Sequence, residues 1–170
     1  MEITLLDKNS IRIKGKKTTL VVDPKTKTVG DCVLILHDTD SGLASQVEGS
    51  RLVVQGPGEY EVGGTKISAL KRGEELLYII TIDSVALCLA KSDAMQKSQE
   101  AIQECSIAVF LADELIAESL VAAVSPKIAV VYGEKALEST KAFGKEIAPV
   151  NKIQISAEKL PEEMQVVVLG

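Results

Sequence analysis

Leu52–Ala90, LVVQGPGEYEVGGTKISALKRGEELLYIITIDSVALCLA, sets apolar runs between turn residues and reads as four or five consecutive strands. Pro57 and Gly58 punctuate the first run, Gly63 and Gly64 the second, and Arg72 to Glu75 form a polar loop. Asp83-Ser84 suits a tight hairpin between Leu76–Ile82 and Val85–Ala90, because both residue types tolerate turn backbone. Glu59 and Glu61 flank Tyr60 and fall on one strand face, which reads as a solvated face rather than an acid/base pair. The middle of the chain is therefore predicted to be an antiparallel meander.

Towards the N-terminus, Ile3–Leu6, Ser10–Lys14 and Thr18–Val22 are three short strand candidates, the last closed by Asp23-Pro24. Val33–Leu36 is an uninterrupted apolar run, as in a strand covered on both faces, and it delivers His37 to its C-terminal end. Beyond the meander the pattern changes. Ser92-Asp93 is placed to cap a helix over Ala94–Glu104, Ile107–Leu111 reads as a buried strand, and Asp113 is placed to cap a helix over Glu114–Val124. Ile128–Tyr132 is the next strand, a third helix is predicted over Glu134–Phe143, and Lys152–Ile155 and Gln165–Leu169 read as closing strands.

Composition narrows the function classes. The 170 residues carry 46% hydrophobic but only 3% aromatic side chains, with no Trp, so Val, Ile, Leu and Ala must fill the core of one domain spanning 1–170. Few rings for stacking bases, and a net charge of −5 with mixed signs, argue against a nucleic-acid groove. Cys32, Cys88 and Cys105 form no CxxC pair and are odd in number, which implies a reducing, cytoplasmic setting. The charged N-terminus lacks a signal-peptide core and no apolar run reaches membrane-spanning length, so no membrane association is expected.

A strand-rich first half followed by strand–helix alternation suits two sheets packed face to face with helices outside, a four-layer αββα sandwich of the α/β (α+β) class. Ile3–Leu36 and the meander are expected in one sheet layer, the strands at Ile107, Ile128 and Ile153 in the other, with helices over both outer faces. GPGEYEVGG followed by a strand, then LLYIITIDSVALCLA, resembles the central sheet of the Zn-dependent hydrolases of the metallo-β-lactamase superfamily. The opening ITLLDKNSIRIKGKKTTLVVDP is similar to that family's first hairpin, with Asp23 and Pro24 matching and Asp7, Lys8 and Asn9 replacing its Gly-His-Ser element.

The same resemblance shows how little of the family's metal site remains. VLILHD matches the strand that presents the HxHxDH motif, with His37 at the first histidine and Thr39, Ser41 and Gly42 at the second histidine, the aspartate and the last histidine. Lys71-Arg72-Gly73 stands where another histidine is usual. Cys88-Leu89-Ala90-Lys91 resembles the HLGD-like element, so Lys91 replaces the bridging carboxylate, and Tyr132-Gly133 occupies the region of the last histidine. A dinuclear hydrolase needs clustered imidazoles and a carboxylate to hold two cations and acidify a bridging water, and this chain has one histidine.

The resemblance thus implies a degenerate pocket around Lys8, His37, Thr39, Ser41, Lys91 and Gly133, with no catalytic residue and no resident cofactor. The alternative is one weakly bound divalent metal at His37, Asp38 and Asp40, serving a hydrolase of a small ester, lactone or phosphodiester. Lys91 is expected to repel cations and to pair with Asp38 or Asp40. The buried cysteines read as small hydrophobes, no GxSxG elbow is present, and GPGEYEVGG matches no phosphate-binding loop. A non-catalytic binding or assembly module follows, with a protein partner or a second copy of the chain as candidate occupants.

Overall fold

The computed structural model describes residues 1–37, 42–142 and 147–170. Its first strands are short: β1 (Glu2–Asp7), β2 (Ser10–Lys14), β3 (Thr19–Val22), β4 (Thr28–Val29), β5 (Cys32–Leu34), β6 (Val47–Glu48) and β7 (Leu52–Val54). The meander supplies β8 (Gly58–Val62), β9 (Thr65–Arg72), β10 (Glu75–Ile82) and β11 (Val85–Lys91). Then come α1 (Ser92–Gln96), β12 (Ile107–Leu111), α2 (Glu118–Val124), β13 (Ile128–Tyr132), α3 (Ala136–Ala142), β14 (Lys152–Gln154) and β15 (Gln165–Val168). Asp83 and Ser84, at φ 50° and 65°, make the tight hairpin between β10 and β11 that their types favour.

Two large sheets result, in orders β14-β1-β2-β3-β5-β7 and β15-β13-β12-β11-β10-β9-β8, with β4 and β6 as a separate parallel pair. This is an α/β sandwich, but the strands divide between the sheets differently from the sequence-based expectation. Only β7 of the meander joins the first sheet. Hairpin pairing holds β8 to β11 together, and β12 adds in parallel beside β11, so Ile107 and Ile128 share a sheet with the meander. The Ile153 strand pairs instead with β1, Ile3 opposite Ile153.

Period-two alternation sorts the side chains by layer. Ile11, Ile13, Leu20 and Leu34 of the six-stranded sheet meet Ile67, Tyr78, Ile80, Leu87, Leu89 and Val109 of the other in one dry interior. The opposite face of the seven-stranded sheet, with Leu77, Cys88, Phe110 and Val131, packs under Met95, Ile102, Leu120 and Val121 of the helical layer. The six-stranded sheet is covered differently from the expectation: no α-helix lies there among the described residues, and Val21, Val33 and Ile35 pack with Val47 and Leu43 of the β6 region. The apolar runs are accordingly buried on both sides, from Val33 to Leu36, Ile107 to Leu111 and Ile128 to Val131.

The helices are shorter than their sequence patterns. Regular α-helix stops at Gln96, and turns continue through 97–104. Asp113 caps nothing: α2 starts after Ala117, which makes no side-chain cap, and Lys91 rather than Ser92 is the capping position of α1. Phe143, the expected end of the third helix, lies outside the described residues.

Tyr78 is the polar tie across the interior. Its buried phenol donates towards the carbonyls of Ile35 and Val54, in the facing sheet, the latter at 2.9 Å. Tyr78→Phe keeps the ring and strips the hydroxyl from two buried acceptors, so we expect a loss of about 1–3 kcal/mol in urea unfolding with an unchanged m-value.

Candidate functional site

The dry interior leaves polar side chains one outlet, the ends of the strands. At one end the chain places the first polar residues beyond its apolar runs: Asp23 after β3, His37 after β5, Lys91 closing β11 and Asp113 after β12. Glu75 opens the antiparallel β10 at the same end, bridged to His37 through the backbone. Asn9, Asp23, Lys25, His37, Lys91 and Asp113 line a cleft of about 300 Å³ with Leu43 and Leu111. A larger cleft of about 700 Å³, lined among others by Lys14, Lys16, Asp83, Gln154 and Lys159, shares none of these residues. We place the candidate site at the smaller one, because there charged side chains converge at the strand ends.

Lys91 is its centre. Its Nζ donates to Glu75 Oε1 and to Asp113 Oδ2, both at 3.0 Å. Burial works against the ammonium, but the bonds to Asp113 and Glu75 outweigh it and hold Lys91 above the ordinary lysine value. Glu75 Oε1 also lies 3.1 Å from His37 Nδ1. Asp23 accepts from the Leu36 N–H at 2.9 Å, and burial pushes its carboxyl up to about 6, against that bond and the Lys91 charge. Tyr132 is fully buried on β13. Burial, then the Asp23 and Asp113 carboxylates, raise its phenol well above the usual value, so it stays a neutral donor. The Tyr132 hydroxyl, Glu75 Oε2 and Asn9 Oδ1 are buried without hydrogen-bond partners among the described residues.

Of the sequence-derived pocket, His37 and Lys91 both line the cleft. Gly133 follows Tyr132 at φ 111°, where a Cβ would stand 2.8 Å from the Ala112 carbonyl, so only glycine closes this strand end without a shift. Lys8 is exposed and does not line the cleft; its neighbour Asn9 does. Asp38, Thr39, Asp40 and Ser41 lie outside the described residues, and with them the expected pairing of Lys91 with Asp38 or Asp40; among the described residues Lys91 pairs with Glu75 and Asp113. Glu75 and Asp113 escaped the sequence reading, the first as the end of a polar loop and the second as a helix cap. Their signal was positional, since each borders an apolar strand at the same end of the sandwich.

The described residues do not fit a dinuclear metal centre. The single imidazole turns Nδ1 to Glu75, the carboxylates of Glu75 and Asp113 are bridged by an ammonium, and among the described residues no three His, Cys, Asp or Glu side chains form a metal-holding group.

Comparison with solved structures decides the architecture. A protein from Thermotoga maritima assigned to the metallo-β-lactamase superfamily as a Zn-dependent hydrolase superposes with a TM-score of 0.78 at 19% identity, over 99% of this chain and 98% of its own. The chain has the metallo-β-lactamase fold. A protein from Parabacteroides distasonis assigned as a metal-dependent hydrolase agrees at TM-score 0.63 and 16% identity, over 98% of this chain and 91% of its own. A diphosphatase of the PhnP family agrees at 0.51 and 13%, over 98% and 86%. No protein-family model matches the sequence, and no curated protein matches it. At these identities the likeness extends to the fold.

In this version of the metallo-β-lactamase fold, Asp23 makes stability depend on pH. Its carboxyl is harder to ionise folded than unfolded, so the native state carries no penalty below about 4, an increasing one up to about 6, and the full one above. Asp23→Asn keeps an oxygen for the Leu36 N–H and removes the charge. We expect the variant to be more stable than the parent at pH 8 by up to about 3 kcal/mol and indistinguishable at pH 4, measured by chemical denaturation across that range.

Proposed function

We propose that this chain, acting as one domain over 1–170, is a non-catalytic binding or assembly module that uses the metallo-β-lactamase fold without its dinuclear chemistry. One observation supports this above the others: the Lys91 ammonium lies 3.0 Å from both Glu75 Oε1 and Asp113 Oδ2. A cation built into the chain already neutralises the carboxylates that a metal would need. An ammonium donates hydrogen bonds and balances charge, but it offers no open coordination position at which to acidify water. Cleft and charge cluster then serve recognition, with a small polar ligand or a protein segment as occupant. No helix of the described residues is long and apolar enough to cross a membrane, and three buried free thiols suit a reducing, cytoplasmic compartment.

The competing reading is a hydrolase with one reduced metal centre at His37, Asp38 and Asp40. Metal analysis separates the two. Protein purified without chelator and assayed by plasma mass spectrometry is expected to carry well below one equivalent of zinc, manganese or iron. A stoichiometric transition metal, lost in His37→Ala, would establish the hydrolase reading and sink ours; retention of that metal in His37→Ala would move the centre to other ligands.

A further inference from the structure

The cleft of about 700 Å³ lies at the end of the sandwich away from Lys91. Lys91 closes β11, whereas Asp83, which lines this cleft, stands in the turn before that strand, about 20 Å back at roughly 3.3 Å per residue. It opens where the two sheets part at their edges: β14 ends the six-stranded sheet, β15 and β13 end the seven-stranded one, and residues 155–164 cross between them. Ile128 of β13 and Ile155 beyond β14 belong to the dry interior, and Ile153 packs against it, so the cleft has an aliphatic floor.

Its rim is cationic. Lys14 at the end of β2, Lys16 in the following turn and Lys159 on the crossing segment are all exposed, and none has a partner for its ammonium among the described residues. The two carboxylates that line the cleft are already engaged. Glu2 Oε2 accepts from Lys152 Nζ at 3.1 Å, and Asp83 accepts the Lys16 N–H with its two oxygens, at 3.2 and 3.1 Å. Glu158, Glu162 and Glu163 lie on the crossing segment without lining the cleft. A chain of net charge −5 thus keeps three unpaired ammoniums around one apolar concavity.

We propose that this cleft binds an amphipathic oxyanion, a small molecule whose phosphate or carboxylate meets the three ammoniums while its apolar body covers the isoleucine floor.

The size of the cleft suits such a ligand, since small-molecule sites hold about 300–1,000 Å³ and combine an apolar lining with a few polar groups. Lysine acts here as a point charge on a flexible stem, which selects for negative charge more than for the shape of the oxyanion. Specificity between anions then falls to the floor, which rewards an apolar body and gives nothing to a bare ion. The site is separate from the Lys91 cleft and does not depend on the function proposed for that end.

The test is an amide NMR titration of the full chain with hexyl phosphate, hexanoate, inorganic phosphate and hexylammonium. Saturable shifts are expected at Lys14–Lys16, Ile153–Ser156 and Lys159 with hexyl phosphate, with hexanoate or with both, and the tighter of the two names the oxyanion. Inorganic phosphate should bind at least about tenfold more weakly than the tighter amphiphile, and hexylammonium should leave these amides unmoved. Lys14→Gln, Lys16→Gln and Lys159→Gln should each weaken binding about two- to fivefold, and added salt should weaken it further, whereas Lys27→Gln, an exposed lysine outside the cleft, should not. The proposal falls if neither amphiphilic anion shifts these amides at millimolar concentration, if hexylammonium or inorganic phosphate binds as tightly as they do, or if the shifts centre on the Lys91 cleft.

Discussion

The dry contact between the two sheets constrains everything else in this molecule. Its interior is aliphatic: beyond Tyr78 and Tyr132, branched and straight side chains of both sheets interdigitate with almost nothing polar between them. Tyr78 is tolerated because its hydroxyl reaches carbonyls of the facing sheet at Ile35 and Val54, the latter also accepting the Ile35 N–H. Charged residues cannot enter such a layer unpaired, so they collect where strands emerge. The cleft around Lys91 is the consequence: β3, β5, β11 and β12 end together, and each releases a polar residue there.

Charge balance then sets the character of that cleft. Glu75 and Asp113 face one ammonium, and Glu75 also holds the imidazole of His37. Taking the lysine away would leave two carboxylates confronting each other, an imbalance that costs about 3–5 kcal/mol when fully buried and less here, because Asp113 is 39% exposed. The arrangement is thus self-sufficient in charge at the ends of these strands. Buried atoms still without partners, Glu75 Oε2 and the Tyr132 hydroxyl, mark where a donor or acceptor from outside would gain most.

The sequence was legible where local pattern and tertiary structure agree. Uninterrupted runs at Val33, Ile107 and Ile128 require burial on both faces, and Asp83-Ser84 demands left-handed backbone, so these elements could be located before any coordinates. Sheet membership was not legible. Hairpins bind neighbours in sequence, but nothing local distinguishes Leu52–Val54, which stays with the first sheet, from Gly58–Val62, which begins the second. Helix ends failed for a related reason: Asp113 has the right chemistry for a cap, yet the nearby Lys91 offers it an ion pair, and α2 begins farther on. At the site, resemblance singled out His37 and Lys91, whereas Glu75 and Asp113 needed the strand register that brings four ends together.

The pleat of β11 decides which of its side chains can reach the cleft. Leu87 and Leu89 of β11 point into the interior between the sheets, while Cys88 and Ala90 point to the helical layer. Lys91 continues the first series and so emerges at the cleft end of the interior; Cys88 continues the second. The Lys91 ammonium and the Cys88 thiol therefore lie on opposite faces of the same backbone, with the sheet between their side chains. β11 is hydrogen-bonded on both sides, to β10 and to β12, and this double pairing fixes the register that brings Lys91 to the cleft beside Glu75 and Asp113.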